Sequence, residues 1–166
     1  MRLLALTLLC TLAHTAQAGV LSVDAEAFGY VDGVLFHGKG EGHMDGTGDF
    51  TVKSLPEGDI SCTGNFDHDF TQGGKGKLTC TNNESADFIF KFTGFAQGYG
   101  EGNSQSHGPV RFSFGLKPDE ASKVLGLPAG SRIVGSKGQY RLQKAEASVE
   151  ASPTVAVPVA ASSLTP

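Results

Sequence analysis

Apolar and polar residues alternate along most of this chain, and glycine repeatedly occupies the apolar place. From Val34 to Leu55 the run V-L-F-H-G-K-G-E-G-H-M-D-G-T-G-D-F-T-V-K-S-L reads as one β-hairpin turning at Asp45-Gly46. A loop from Asp45 to Thr47 sets Gly42 opposite Phe50 and Gly40 opposite Val52. It also gathers Phe36, Met44, Phe50 and Val52 on one face. Lys39, Glu41, His43, Asp49, Thr51 and Lys53 take the other, since successive strand side chains point to opposite sides. A strand glycine is tolerable when a large neighbour covers it.

The pattern recurs. Ile60 to Phe70 alternates, with Ile60, Cys62, Gly64, Phe66, His68 and Phe70 on one face. Lys75 to Thr81 returns after a turn at Gln72-Gly73-Gly74. Folding the pair so that Cys62 meets Cys80 brings Phe66 opposite Gly76 and Gly64 opposite Leu78. Asp87 to Phe95 predicts a strand with Phe88, Phe90 and Phe92 inward, and with Ile89 suggesting partial cover on its second face. Val110 to Gly115 predicts another, with Val110, Phe112 and Phe114 inward. An earlier strand lies around Ala27 to Val31 and ends at Asp32-Gly33. Gly98 to Asn103 is a glycine stretch and Ser104 to Gly108 a polar loop. Pro118, Asp119 and Glu120 open one short helix whose apolar stripe is Ala121, Val124 and Leu125, and Gly126 and Pro128 end it. Arg132 to Val134 and Gln139 to Gln143 predict two last strands. The expected fold is all-β: an antiparallel sheet of about eight strands curled into a small barrel or sandwich, with one short helix.

The two ends of the chain differ in composition. Arg2, the apolar run Leu3 to Leu12 and Ala16-Gln17-Ala18 have the form of a cleaved signal peptide over residues 1–18. The β domain then covers 19–143. Residues 144–166, rich in Ala, Val, Pro and Ser without aromatics, predict a disordered tail. Export implies an oxidising compartment, periplasmic or extracellular, so Cys62 and Cys80 are expected to form a disulfide. The net charge of −4 offers no basic footprint for nucleic acid.

The ordered motifs F-H-G-K-G-E-G-H-M-D-G-T-G (Phe36 to Gly48), C-T-G-N-F (Cys62 to Phe66), G-K-G-K-L-T-C (Gly74 to Cys80) and F-K-F-T-G (Phe90 to Gly94) resemble a family of small exported bacterial proteins. That glycine-rich family has a Met-Asp-Gly hairpin, two spaced cysteines and Phe-x-Phe strands, and no assigned activity. The resemblance spans about Phe36 to Gly115 and implies a secreted or periplasmic all-β protein.

Candidate chemistry is sparse. No nucleophile elbow or P-loop is present, so no catalytic residue is assigned. No zinc or EF-hand spacing occurs, so no metal or other cofactor is assigned either. His43 and Asp49 are expected as cross-strand neighbours on a polar surface. Glu41 and Glu101 each sit in G-x-G-E-G and form the one carboxylate pair that acid/base chemistry could use. In Asp67-His68-Asp69, alternation turns His68 away from both aspartates. Phe95, Tyr99 and Tyr140 are candidates for a surface receiving a protein or glycan. The expected function is therefore a non-enzymatic binding or envelope-structural role, with a cell-wall or glycan-active hydrolase using paired carboxylates as the alternative. Stable membrane insertion is not expected, because the predicted strands are short and broken by glycine.

Overall fold

A computed structural model describes residues 21–69 and 71–144. The signal peptide expected over 1–18 and the tail from 145 onward lie outside the described residues, as does Phe70.

Eight antiparallel strands follow one another around a closed barrel: β1 (Ser22–Val31), β2 (Val34–His43), β3 (Thr47–Ser54), β4 (Ser61–Asp69), β5 (Gly73–Cys80), β6 (Ser85–Gly94), β7 (Gln97–Ser104) and β8 (Gly108–Phe114). β8 pairs back onto β1 through Ala27–Phe114 and Gly29–Phe112, which leaves no unpaired sheet edge in the barrel. The expected choice between barrel and sandwich thus resolves as a barrel.

Alternation decides what lies inside. Large side chains point inward from β3, β4, β6 and β8, including Phe50, Phe66, Phe88, Phe90, Phe92, Phe112 and Phe114. Small ones predominate at the inward positions of β2, β5 and β7, beside Phe36 and Leu78, with β1 adding Ala25, Ala27 and Gly29. Gly74 and Gly76 of β5 and Gly98 and Gly100 of β7 sit beneath rings. A methyl added at Gly74 would meet Phe90, at Gly76 Phe88, at Gly98 Phe114 and at Gly100 Phe112. The rings then stack edge to face along the barrel, as in Phe88–Phe112 at 5.1 Å, Phe66–Phe90 at 5.4 Å and Phe90–Phe114 at 5.4 Å.

The second hairpin has the predicted register, with Cys62 bonded to Cys80, Phe66 opposite Gly76 and Gly64 opposite Leu78. The first is displaced. Its loop is Met44–Gly46, so Gly40 faces Phe50, Gly38 faces Val52 and Gly42 faces Gly48. The cause is the Asp45 carboxylate, which accepts hydrogen bonds from the Thr47 amide (2.9 Å) and hydroxyl (2.7 Å) and holds Thr47 as the first strand residue. Gly46 supplies the positive φ of +87° that ends such a loop. The two faces survive this shift, but Met44 leaves the inner face and lies exposed in the turn. Three further expectations change. Gly98 to Asn103 belongs to a full strand, β7. Ile89 is 62% exposed and has no cover. Several strands run ten residues, longer than predicted.

After β8 the chain covers one outer patch of the barrel. Helix α1 (Pro118–Val124) and the hairpin of β9 (Arg132–Ser136) and β10 (Gln139–Gln143) bury Ala121, Leu125, Ile133 and Tyr140 against Phe28 and Leu35. Phe28 and Leu35 are the outward apolar residues of β1 and β2, so this second core forms where the outer face is not polar. The Ser122 hydroxyl ties helix to hairpin by donating to the Pro118 carbonyl and accepting from the Ile133 amide. Tyr140 is core there, not an open binding surface.

Candidate functional site

The rings do not fill the barrel. A cavity of about 230 Å³ runs along its interior beside the wall made by β1 and β2. There Gly40 and Gly42 have open space above them, although Gly38 is closed off by the Thr51 backbone. A methyl at Gly40 would touch only the Asp49 carbonyl and Phe50 Cβ at 3.5 Å, and one at Gly42 only His68 Nε2 at 3.8 Å. Val23, Ala25, Ala27, Val52, Leu78, Val110 and the Cys62–Cys80 bridge complete an apolar lining. An eight-stranded barrel has about the width to be filled by side chains or to hold one small ligand. Here glycine and alanine on one wall shift the balance towards space.

The two ends of the barrel differ in chemistry. In an up-and-down barrel alternate connections share an end. The β1–β2, β3–β4, β5–β6 and β7–β8 connections therefore lie together, and they carry Asp32, Glu57, Asp59 and Glu84 with no Lys or Arg. Asp32, Asn82, Glu84, Ser104 and His107 line the cavity at this mouth. His107 Nδ1 lies 3.2 Å from Asp32 Oδ2, and its Nε2 lies 3.8 Å from Glu84 Oε1. The Ser104 hydroxyl donates to Glu84 Oε2 at 2.8 Å. That bond, with a second from Ser106, holds the Glu84 carboxyl below the usual glutamate range. At the other end Leu21, Met44 and Phe95 are exposed, and His68 sits inside between Phe66 and Phe92, with Nε2 3.2 Å from the His43 carbonyl.

Most residues singled out from sequence lie on the outer wall. Glu41, His43 and Asp49 form one surface cluster. Asp49 pairs with Glu41 across the ladder, and His43 reaches it diagonally, with Nε2 3.9 Å from Asp49 Oδ2 and Nδ1 4.0 Å from Glu41 Oε1. Glu101 lies elsewhere. The ladder runs from Glu101 through Arg111 and Tyr30 to Leu35, and Glu41 is six residues further along β2. At the rise of a strand this is roughly 20 Å, so the two glutamates do not share a site. Tyr99 also faces outward, beneath the Lys91 ammonium at 4.8 Å. Among the described residues no group of three or more His, Cys, Asp or Glu side chains is placed to hold a metal ion.

The mouth residues Asp32, Glu84 and His107 escape a sequence reading because three separate turns supply them. The signal that finds them is the strand count: once Gly98–Asn103 is a strand, their turns fall at one end. In comparisons with protein-family models, curated proteins and solved structures, nothing matches this chain.

Proposed function

We propose that the protein is an exported, non-enzymatic binding barrel that takes a small apolar molecule into its interior. The observation that carries this reading is the space beside the unfilled wall of Gly40, Gly42, Ala25 and Ala27. A 150 Å³ apolar cavity holds benzene, so a 230 Å³ one has room for roughly nine non-hydrogen atoms. The disulfide is compatible with an oxidising compartment, and the exported glycine-rich family remains the relationship that the motifs suggest.

An aqueous setting is favoured by the outer wall. Strand length does not argue against a membrane barrel here, but a membrane barrel needs an apolar band facing lipid. Lys39, Glu41, Asp49, Lys53, Asp67, Lys75, Lys77, Asp87, Lys91 and Glu101 project from this one. The distance between Glu41 and Glu101 weighs against the paired-carboxylate hydrolase.

Toluene is the test probe. It should raise the unfolding temperature of the purified protein in proportion to occupancy. Gly40→Val points two methyl groups into the cavity from a position with ordinary space, and should keep the fold while abolishing the toluene shift. No stabilisation of the unsubstituted protein, or an equal shift in Gly40→Val, overturns the reading.

A further inference from the structure

We infer that the ligand is an amphiphile with a short apolar body and a cationic ammonium head, its body in the barrel and its head at the Glu84 mouth. This inference rests on the interior being a ligand cavity and adds the class of molecule.

Three observations converge. First, cavity and mouth are one continuous space: Glu84, Asp32 and His107 line the same void as Ala25, Val52 and Phe88. A molecule filling the apolar part therefore ends among these polar groups. Second, the permanently charged side chains at that end have one sign. Asp32 and Glu84 line it, Glu57 and Asp59 stand in the adjoining connection, and among the described residues no Lys or Arg side chain lines the cavity. A carboxylate head would meet two carboxylates with no lysine or arginine to offset them and with His107 already engaged 3.2 Å from Asp32, and an ammonium would meet its complement. Third, Glu84 has acceptor capacity in hand. An ionised carboxylate offers about four lone-pair sites. The Ser104 hydroxyl and the hydroxyl and amide of Ser106 donate to Glu84, which leaves about one site, while the nearest basic nitrogen, His107 Nε2, stays at 3.8 Å, beyond a hydrogen bond. Its side chain is only 20% exposed, so a contact there is less screened than one at Asp32, which is 70% exposed. An ammonium brings three donors and no acceptor, the match for such a group.

Size narrows the class. Room for roughly nine non-hydrogen atoms suits an alkyl or aryl-alkyl amine of six to eight carbons and excludes a full-length lipid chain.

The test compares n-hexylamine, n-hexanol and hexanoate at neutral pH on the full-length mature protein, with binding followed by amide chemical shifts. The body is constant and only the head changes. The ammonium should bind about tenfold tighter than the alcohol, the scale of one charge-assisted hydrogen bond, and hexanoate weakest. Glu84→Gln should bring the amine down to the alcohol and leave the alcohol unchanged. Hexanoate binding as well as hexylamine, or Glu84→Gln weakening all three alike, overturns the head-group assignment. If hexanol and toluene bind and Gly40→Val excludes both, the cavity reading survives such a failure. If none of the four molecules binds, both readings fall.

Discussion

The ring of Phe112 lies over Gly100, its cross-strand partner, closely enough that the glycine has no room for a methyl group. On the far wall Gly40 faces the cavity and has that room. The two glycines are equivalent in sequence, each in a G-x-G-E-G run, and opposite in environment. Gly100→Ala should destabilise by about 1–3 kcal/mol, the cost of overpacking against the Ile89 carbonyl, the Phe112 ring and the Phe90 Cβ. Gly40→Ala should be neutral or stabilise by up to about 1 kcal/mol, because alanine restricts the unfolded chain. Urea unfolding of both variants decides it. Equal losses would mean that the barrel interior is packed uniformly and holds no cavity.

Cys62 and Cys80 close a loop with a sequence separation of 18 residues between adjacent strands. The chain-entropy model gives the crosslink about 3 kcal/mol. Reduction of the bridge should lower the unfolding free energy by that order, without loss of strand content in far-ultraviolet circular dichroism. Collapse of the strand signal on reduction alone would show that hairpin β4–β5 depends on the sulfur bridge for its register and not only for its stability.

How far the sequence led depends on the kind of contact. The β4–β5 register was legible because two cysteines and an alternating Phe/Gly pattern point to one pairing. The β2–β3 faces were legible, but its register was displaced by a single carboxylate, that of Asp45, whose reach no hydrophobic pattern records. β7 was hidden because glycine carries no apolar signal, although Gly98, Gly100 and Gly102 alternate under Phe114, Phe112 and Phe88. Barrel closure joins Phe28 of β1 to Ser113 of β8, a pairing with no local cue. The mouth at Asp32, Glu84 and His107 exists only after that closure, whereas the repeated G-x-G-E-G runs make Glu41 and Glu101 conspicuous in the sequence alone.

The carboxylate of Asp45 is mirrored by that of Asp69, which accepts from the Thr71 amide at 2.7 Å and hydroxyl at 2.6 Å. In both turns the threonine hydroxyl first, and the amide second, hold the carboxyl below the usual aspartate range. A carboxyl depressed in the folded state contributes stability that is complete above its unfolded value, about pH 3.9. That contribution is lost as pH falls through the folded value. Carbon-detected NMR titration should therefore find both aspartates ionised below about pH 3.9. Thr47→Val should move Asp45 up and leave Asp69 in place. A titration midpoint for Asp45 that Thr47→Val leaves unchanged would show that the hydroxyl is not its anchor.

The outer hairpin is held by a polar contact set in an apolar patch. The Tyr140 hydroxyl donates to the Glu26 carboxylate, 3.1 Å from either oxygen, and His37 Nε2 lies 2.9 Å from Glu26 Oε1. The Tyr140 ring meanwhile packs on Phe28 at 5.0 Å and His37 at 4.7 Å. Burial first, then the bond to Glu26 and its negative charge, push the phenol above its ordinary value near 10. A group that holds its proton more tightly when folded stabilises fully below its unfolded value, and that stabilisation drains away as pH rises through the folded value. Beyond about pH 10 the hairpin should therefore loosen from the barrel, and amide exchange in β9 and β10 should quicken before exchange in the barrel strands does. Tyr140→Phe keeps the ring contacts and removes only the hydroxyl. It should cost about 1 kcal/mol at neutral pH, a net hydrogen bond discounted for the partly exposed Glu26. It should also flatten the alkaline dependence. Persistence of the full alkaline loss in Tyr140→Phe would show that the Tyr140 hydroxyl is not its source, and would leave Tyr140 as a packing residue alone.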